Sequence, residues 1–60
     1  MMNKKQLKKI LIVDDEEDIL IFLERLLNRR GYSVTTTTNG IDALDKIKQN
    51  DYDLLITNIN

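Results

Sequence analysis

The chain has 60 residues, with nine Lys plus Arg against ten Asp plus Glu, and no His, Cys or Pro. One domain at most fits that length, and the composition excludes disulfide frameworks, thiolate metal sites and catalysis by imidazole or thiol. A formal net charge of −1 lacks the basic excess of a nucleic-acid binder, and no apolar run approaches the roughly 20 residues that span a bilayer.

Charge is unevenly distributed. Residues 1–9 hold Lys4, Lys5, Lys8 and Lys9 and no acid, whereas residues 14–18 read Asp-Asp-Glu-Glu-Asp. The four apolar residues between them, Ile10 to Val13, are too few for the core of a signal peptide. The expectation is one cytoplasmic domain over residues 1–60, with residues 1–8 as a basic extension. No repeat, low-complexity tract or Gly/Ser linker divides it.

Lys9 to Val13 is a continuous aliphatic run. Without polar alternation it predicts a strand covered on both faces, as in parallel sheets. Glu16 to Arg30 predicts a helix, with Ile19, Leu23 and Leu26 on one face and Leu20, Phe22 and Leu27 as further apolar residues of its core-packing set. Acids at its start (Glu16, Glu17, Asp18) and bases at its end (Arg29, Arg30) complement the helix dipole. Gly31 supplies the left-handed residue that ends a helix at least cost. Tyr32 to Thr37, rich in β-branched residues, predicts a second strand.

Asn39-Gly40 between two strands would signal a hairpin. The next residues are amphipathic instead, with Ile41, Ala43, Leu44 and Ile47 among Asp42, Asp45, Lys46 and Lys48. The pair is therefore read as the start of a second helix, closed at Asn50-Asp51. Tyr52 to Ile59, around Leu54, Leu55 and Ile56, predicts a third strand. Strands alternating with helices imply parallel pairing through crossovers. The fold class is α/β, β-α-β-α-β, with the first strand central in the order 2-1-3.

Open parallel sheets place sites beyond the carboxyl ends of their strands, where successive connections leave in opposite directions. Asp14 and Asp15 end the first strand and Asn58 lies at the end of the third, so the three converge if those strands are neighbours. Paired carboxylates with carbonyl oxygens suit a hard cation such as Mg²⁺, which keeps several waters. The same two acids also suit a plainer role at the positive end of the second element, the helix.

Four segments carry a resemblance: Lys-Ile-Leu-Ile-Val-Asp-Asp-Glu (9–16), Leu-Leu-Asn-Arg-Arg-Gly-Tyr-Ser-Val (26–34), Asn-Gly-Ile-Asp-Ala-Leu (39–44) and Tyr-Asp-Leu-Leu-Ile-Thr (52–57). In order and spacing they resemble the receiver domain of bacterial two-component response regulators, over about residues 8–60. The resemblance implies a flavodoxin-like sheet, an acidic pocket that binds Mg²⁺, and a strand-3 Asp that accepts a phosphoryl group from a sensor histidine kinase. It puts Asp14 and Asp15 among the metal ligands, with the backbone carbonyl of Asn60.

Two departures shape the functional expectation. The family's phosphoacceptor falls on position 58, which is Asn; an uncharged, delocalised amide is no nucleophile for an acyl phosphate. The sequence also ends at Asn60, before the family's last two strands with their Ser/Thr hydroxyl and Lys. The expectation is a truncated, phosphorylation-deficient receiver, not an enzyme, with no catalytic residue and only weak Mg²⁺ binding. It would act by protein–protein interaction with a sensor histidine kinase or another receiver. An open third-strand edge would also favour homo-oligomers. The alternative is a fragment of a longer receiver that autophosphorylates on an Asp at position 58.

Overall fold

The computed structural model describes residues 7–58. Asn60 and residues 1–6 of the basic extension lie outside them. Five elements run in the expected order: β1 (Lys9–Asp14), α1 (Glu17–Arg29), β2 (Ser33–Thr37), α2 (Gly40–Gln49) and β3 (Leu54–Asn58). All pairing is parallel, in the order β2-β1-β3. This is the first half of a flavodoxin-like sheet, with the most apolar strand in the middle. Burial is the direct result: Ile10, Leu11, Ile12 and Val13 are all at most 3% exposed, each stabilising the fold by about 1.5–3 kcal/mol relative to exposure.

Alternate residues of β1 feed two clusters. Ile10 and Ile12 pack with Leu20 of α1, supported by Leu23, Leu27, Val34 and Ile56. Leu11 and Val13 pack with Ala43 of α2, supported by Tyr52. Each helix therefore covers one face, and both lie over β1 and β2. The helices bury narrower stripes than their sequences suggest. Phe22 is 63% exposed, correcting its expected core role: it lies about 200° around the helix from Leu20, given roughly 100° per residue. On α2, Ala43 is the buried residue, while Ile41, Leu44 and Ile47 remain exposed.

Local chemistry explains the element ends. Gly31 has φ +95°; its N–H donates to the Asn28 carbonyl at 3.0 Å, and the Tyr32 N–H to the Leu27 carbonyl at 3.1 Å. That pair of bonds is the Schellman motif, which needs the left-handed residue. The Asn39 side-chain oxygen accepts from the N–H groups of Ile41 (2.7 Å) and Asp42 (3.2 Å), satisfying two helix-start donors. The pair Asn39-Gly40 thus starts α2 rather than a hairpin. At the start of α1, Glu16 makes no side-chain cap.

Candidate functional site at the carboxyl ends of the strands

Parallel register brings Asp14 of β1 opposite Asn58 of β3. The chain leaves β1 toward β2 on one side and reaches β3 on the other, so this pair sits at the switch point of the sheet. Asp14 and Asn58 also share strand parity with Ile10, Ile12, Leu54 and Ile56, which places both on the side of the sheet that α1 covers.

Asp14 is only 4% exposed, and a buried carboxylate must be hydrogen-bonded to be tolerated. Its Oδ1 accepts the Glu16 N–H at 2.9 Å, which turns the chain out of β1. Its Oδ2 accepts from the Asn58 side-chain amide at 3.4 Å. The first contact has ordinary length; the second is longer than the usual 2.7–3.2 Å and correspondingly weak. One oxygen of a buried carboxylate is therefore loosely held, at the mouth of the sheet. Asp15, the next residue, is exposed in the turn, and Glu16, Glu17 and Asp18 are exposed at the start of α1.

Of the expected site residues, the structure joins Asp14 directly to Asn58, and Asp15 adjoins them along the chain. Asn60 lies outside the described residues. Among the described residues, no group of three His, Cys, Asp or Glu is placed to hold a metal. The donor set that remains, two carboxylates and an amide oxygen, suits a hard cation that retains most of its waters. It offers no carboxylate in line at position 58.

The opposite end of the sheet has a different construction. Asp53 precedes β3, and its Oδ2 accepts the Lys9 N–H at 2.8 Å while its own N–H donates to the Lys9 carbonyl at 2.8 Å. Sequence reading did not find this contact; the available signal was an Asp immediately before an apolar strand. A cavity of about 440 Å³ lined by Leu7, Lys9, Ser33, Asp51 and Asp53 lies beside it. The Asp53 carboxylate there is committed to main chain, whereas Asp51 is exposed at the rim. Lys46, on α2, is paired to Asp42 at 3.7 Å. No helix among the described residues is long and apolar enough to cross a membrane.

Comparison with known proteins agrees with the fold. The family model described as the response regulator receiver domain matches residues 10–60. Sensor protein EvgS of Escherichia coli K12 is 47% identical over 51 residues, which cover 85% of this chain and 4% of that protein. The alkaline phosphatase synthesis transcriptional regulatory protein PhoP of Bacillus subtilis is 44% identical over 52 residues, 87% of this chain and 22% of its own length. Response regulator receiver protein CpdR of Brucella abortus is 36% identical over 53 residues, 88% of this chain and 44% of its own. The chain thus spans less than half the length of each of these relatives. No solved structure gives a significant match.

Proposed function

The chain belongs to the response regulator receiver domain family of two-component signalling, and from that premise we propose that it is a phosphorylation-deficient receiver acting by protein–protein interaction. The observation that carries the proposal is the pairing of Asn58 with Asp14 across β3 and β1. In this reading Asn58 occupies the phosphoacceptor position. Attack on a phosphoryl donor needs an anionic oxygen, as a carboxylate supplies, and the Asn58 amide is neutral. Amide and carboxylate are nearly isosteric, so the exchange preserves the pocket's shape while removing its chemistry.

Asp14 and Asp15 are the residues that would hold Mg²⁺, with Asn60 as a third ligand through its carbonyl. The loosely held Oδ2 of buried Asp14 supports the fit, because a cation would replace only a 3.4 Å amide contact. When bound, Mg²⁺ supplies charge neutralisation for an incoming phosphoryl group. Asn58 lowers the pocket's negative charge by one relative to a carboxylate there, which weakens cation binding. The module is non-catalytic, cytoplasmic, and a partner of a sensor histidine kinase or another receiver. The same reading includes self-association, and it takes residues 1–8 as a basic extension ahead of the receiver segment.

Incubation of the 60-residue chain with acetyl phosphate and Mg²⁺, with intact mass as the readout, tests the central point. No added phosphate is expected. Asn58→Asp should gain at most a trace, because one missing charge-stabilising contact alone slows such chemistry by about 100- to 1,000-fold. A stoichiometric phosphate on the unaltered chain would overturn the proposal.

A second reading, a segment of a longer receiver that carries its phosphate on an Asp at position 58, is favoured by the small share of each relative that the chain covers. It predicts rapid, stoichiometric labelling once Asn58→Asp is placed in the longer protein.

A further inference from the structure

Asparagine is a thermolabile residue: the main-chain nitrogen of the next residue can attack its Cγ. The group that follows it decides how easily that happens. Asn28 precedes Arg29, Asn50 precedes Asp51 and Asn58 precedes the β-branched Ile59, whereas Asn39 precedes Gly40. Glycine has no Cβ to hinder the approach and the widest backbone freedom. Asn39 and Gly40 are both exposed, so water reaches them. The cap oxygen of Asn39 goes to the N–H groups of Ile41 and Asp42. Among the described residues nothing accepts the N–H of Gly40, one of the first-turn donors that a helix leaves without an internal partner.

The same residue is tied down by four bonds. Its side-chain oxygen receives Ile41 at 2.7 Å and Asp42 at 3.2 Å. Its own N–H donates to the Thr37 hydroxyl at 3.2 Å, and its carbonyl accepts the Ala43 N–H at 3.0 Å. The backbone is extended there, with φ −123° and ψ 126°. Ring closure folds the Gly40 nitrogen back onto Cγ and takes the side-chain oxygen away from the helix start.

We propose that Asn39 is a self-modification site, converting to aspartate and isoaspartate through a cyclic imide at a rate set by opening of the first turn of α2. The Gly40 nitrogen gives its proton to solvent base and bonds to Asn39 Cγ, and the side-chain amide leaves as ammonia. Water then opens the ring at either carbonyl. Nothing is oxidised or reduced, and water is the only co-reactant. Opening at the side-chain carbonyl leaves Asp, an equally good cap whose charge suits the helix start. Opening at the main-chain carbonyl leaves isoaspartate, which routes the chain through the side chain and lengthens it by one methylene. That product loses the cap and the carbonyl that held Ala43, the residue through which α2 packs on Leu11 and Val13. The change falls two residues past Thr37, which lies opposite Val13, at the same end of the sheet as Asp14. It is a one-way loosening of α2, independent of the phosphoryl chemistry.

The test follows the full 60-residue chain at mildly alkaline pH by intact mass, with peptide mapping that separates aspartate from isoaspartate. Position 39 should convert ahead of Asn28, Asn50 and Asn58. In unfolding urea its rate should rise by about 2- to 30-fold, the weight of one Asn cap. Gly40→Ala should remove the lead of position 39 in both conditions. Gly40 has no positive φ, so alanine fits there and favours the helix. The isolated isoaspartyl form should lose part of its helical circular dichroism, and the aspartyl form should keep it. Faster conversion at another asparagine, or an undiminished rate for Gly40→Ala in urea, would overturn the site. Equal rates in buffer and in urea would overturn the gating by α2.

Discussion

β1 and β3 are joined at both ends by an aspartate, and the two ends differ in what that aspartate has left to give. At the amino end the Asp53 carboxylate and N–H both engage the Lys9 main chain at 2.8 Å. At the carboxyl end buried Asp14 spends one oxygen on the Glu16 N–H and holds Asn58 at 3.4 Å with the other. One end is a clamp, made of short bonds to backbone that no ligand needs to displace. The other is a side-chain pair whose weakest contact lies where a ligand would enter. Equivalent residue types thus serve structure at one end and leave chemistry open at the other.

Breaking the strand they share should abolish both ends together. Leu11 is 0% exposed, and Leu11→Ala should cost about 2–5 kcal/mol. At roughly 0.05–0.15 kcal/mol per residue, the whole domain holds only about 3–9 kcal/mol. Urea titration monitored by circular dichroism should find this variant largely or wholly unfolded. The ends then separate on a finer scale. Asp53→Ala removes a charge-assisted bond to the Lys9 N–H and should cost about 1 kcal/mol, discounted for its exposure. Asn58→Ala removes a long, partly exposed contact and should change stability by less than about 1 kcal/mol. Equal losses in the two variants, measured by the same titration, would erase the distinction between clamp and pocket.

Much of the fold was legible because the signals are local. The unbroken run Ile10–Val13 announced a strand covered on both faces, Gly31 announced the helix stop, and Asn39 announced the start of α2. The meeting of Asp14 with Asn58 was readable from strand order alone, since parallel register places the ends of adjacent strands together. What escaped depends on relations between distant segments. The Asp53–Lys9 clamp spans 44 positions, and its bond exists only once β1 and β3 are in register. The exposure of Phe22, Ile41, Leu44 and Ile47 was hidden for a related reason. Apolar periodicity marks which face of a helix can be buried, while the extent buried depends on how much sheet lies beneath it. Both helices lie over β1 and β2, and β3 keeps Leu54 and Leu55 half open.

The functional reading proposes a cation site at Asp14, Asp15 and Asn58, and a Mg²⁺ titration monitored through backbone amide shifts tests it most directly. Weak binding is expected, with the largest shifts at Asp14, Asp15 and Asn58. Asp15→Asn should reduce the response more than Glu17→Gln does. Asn58→Asp should tighten binding by about tenfold or more, because it adds one charge beside the cation. Equal shifts at Asp15 and Glu17, or no response even in Asn58→Asp, would contradict the pocket.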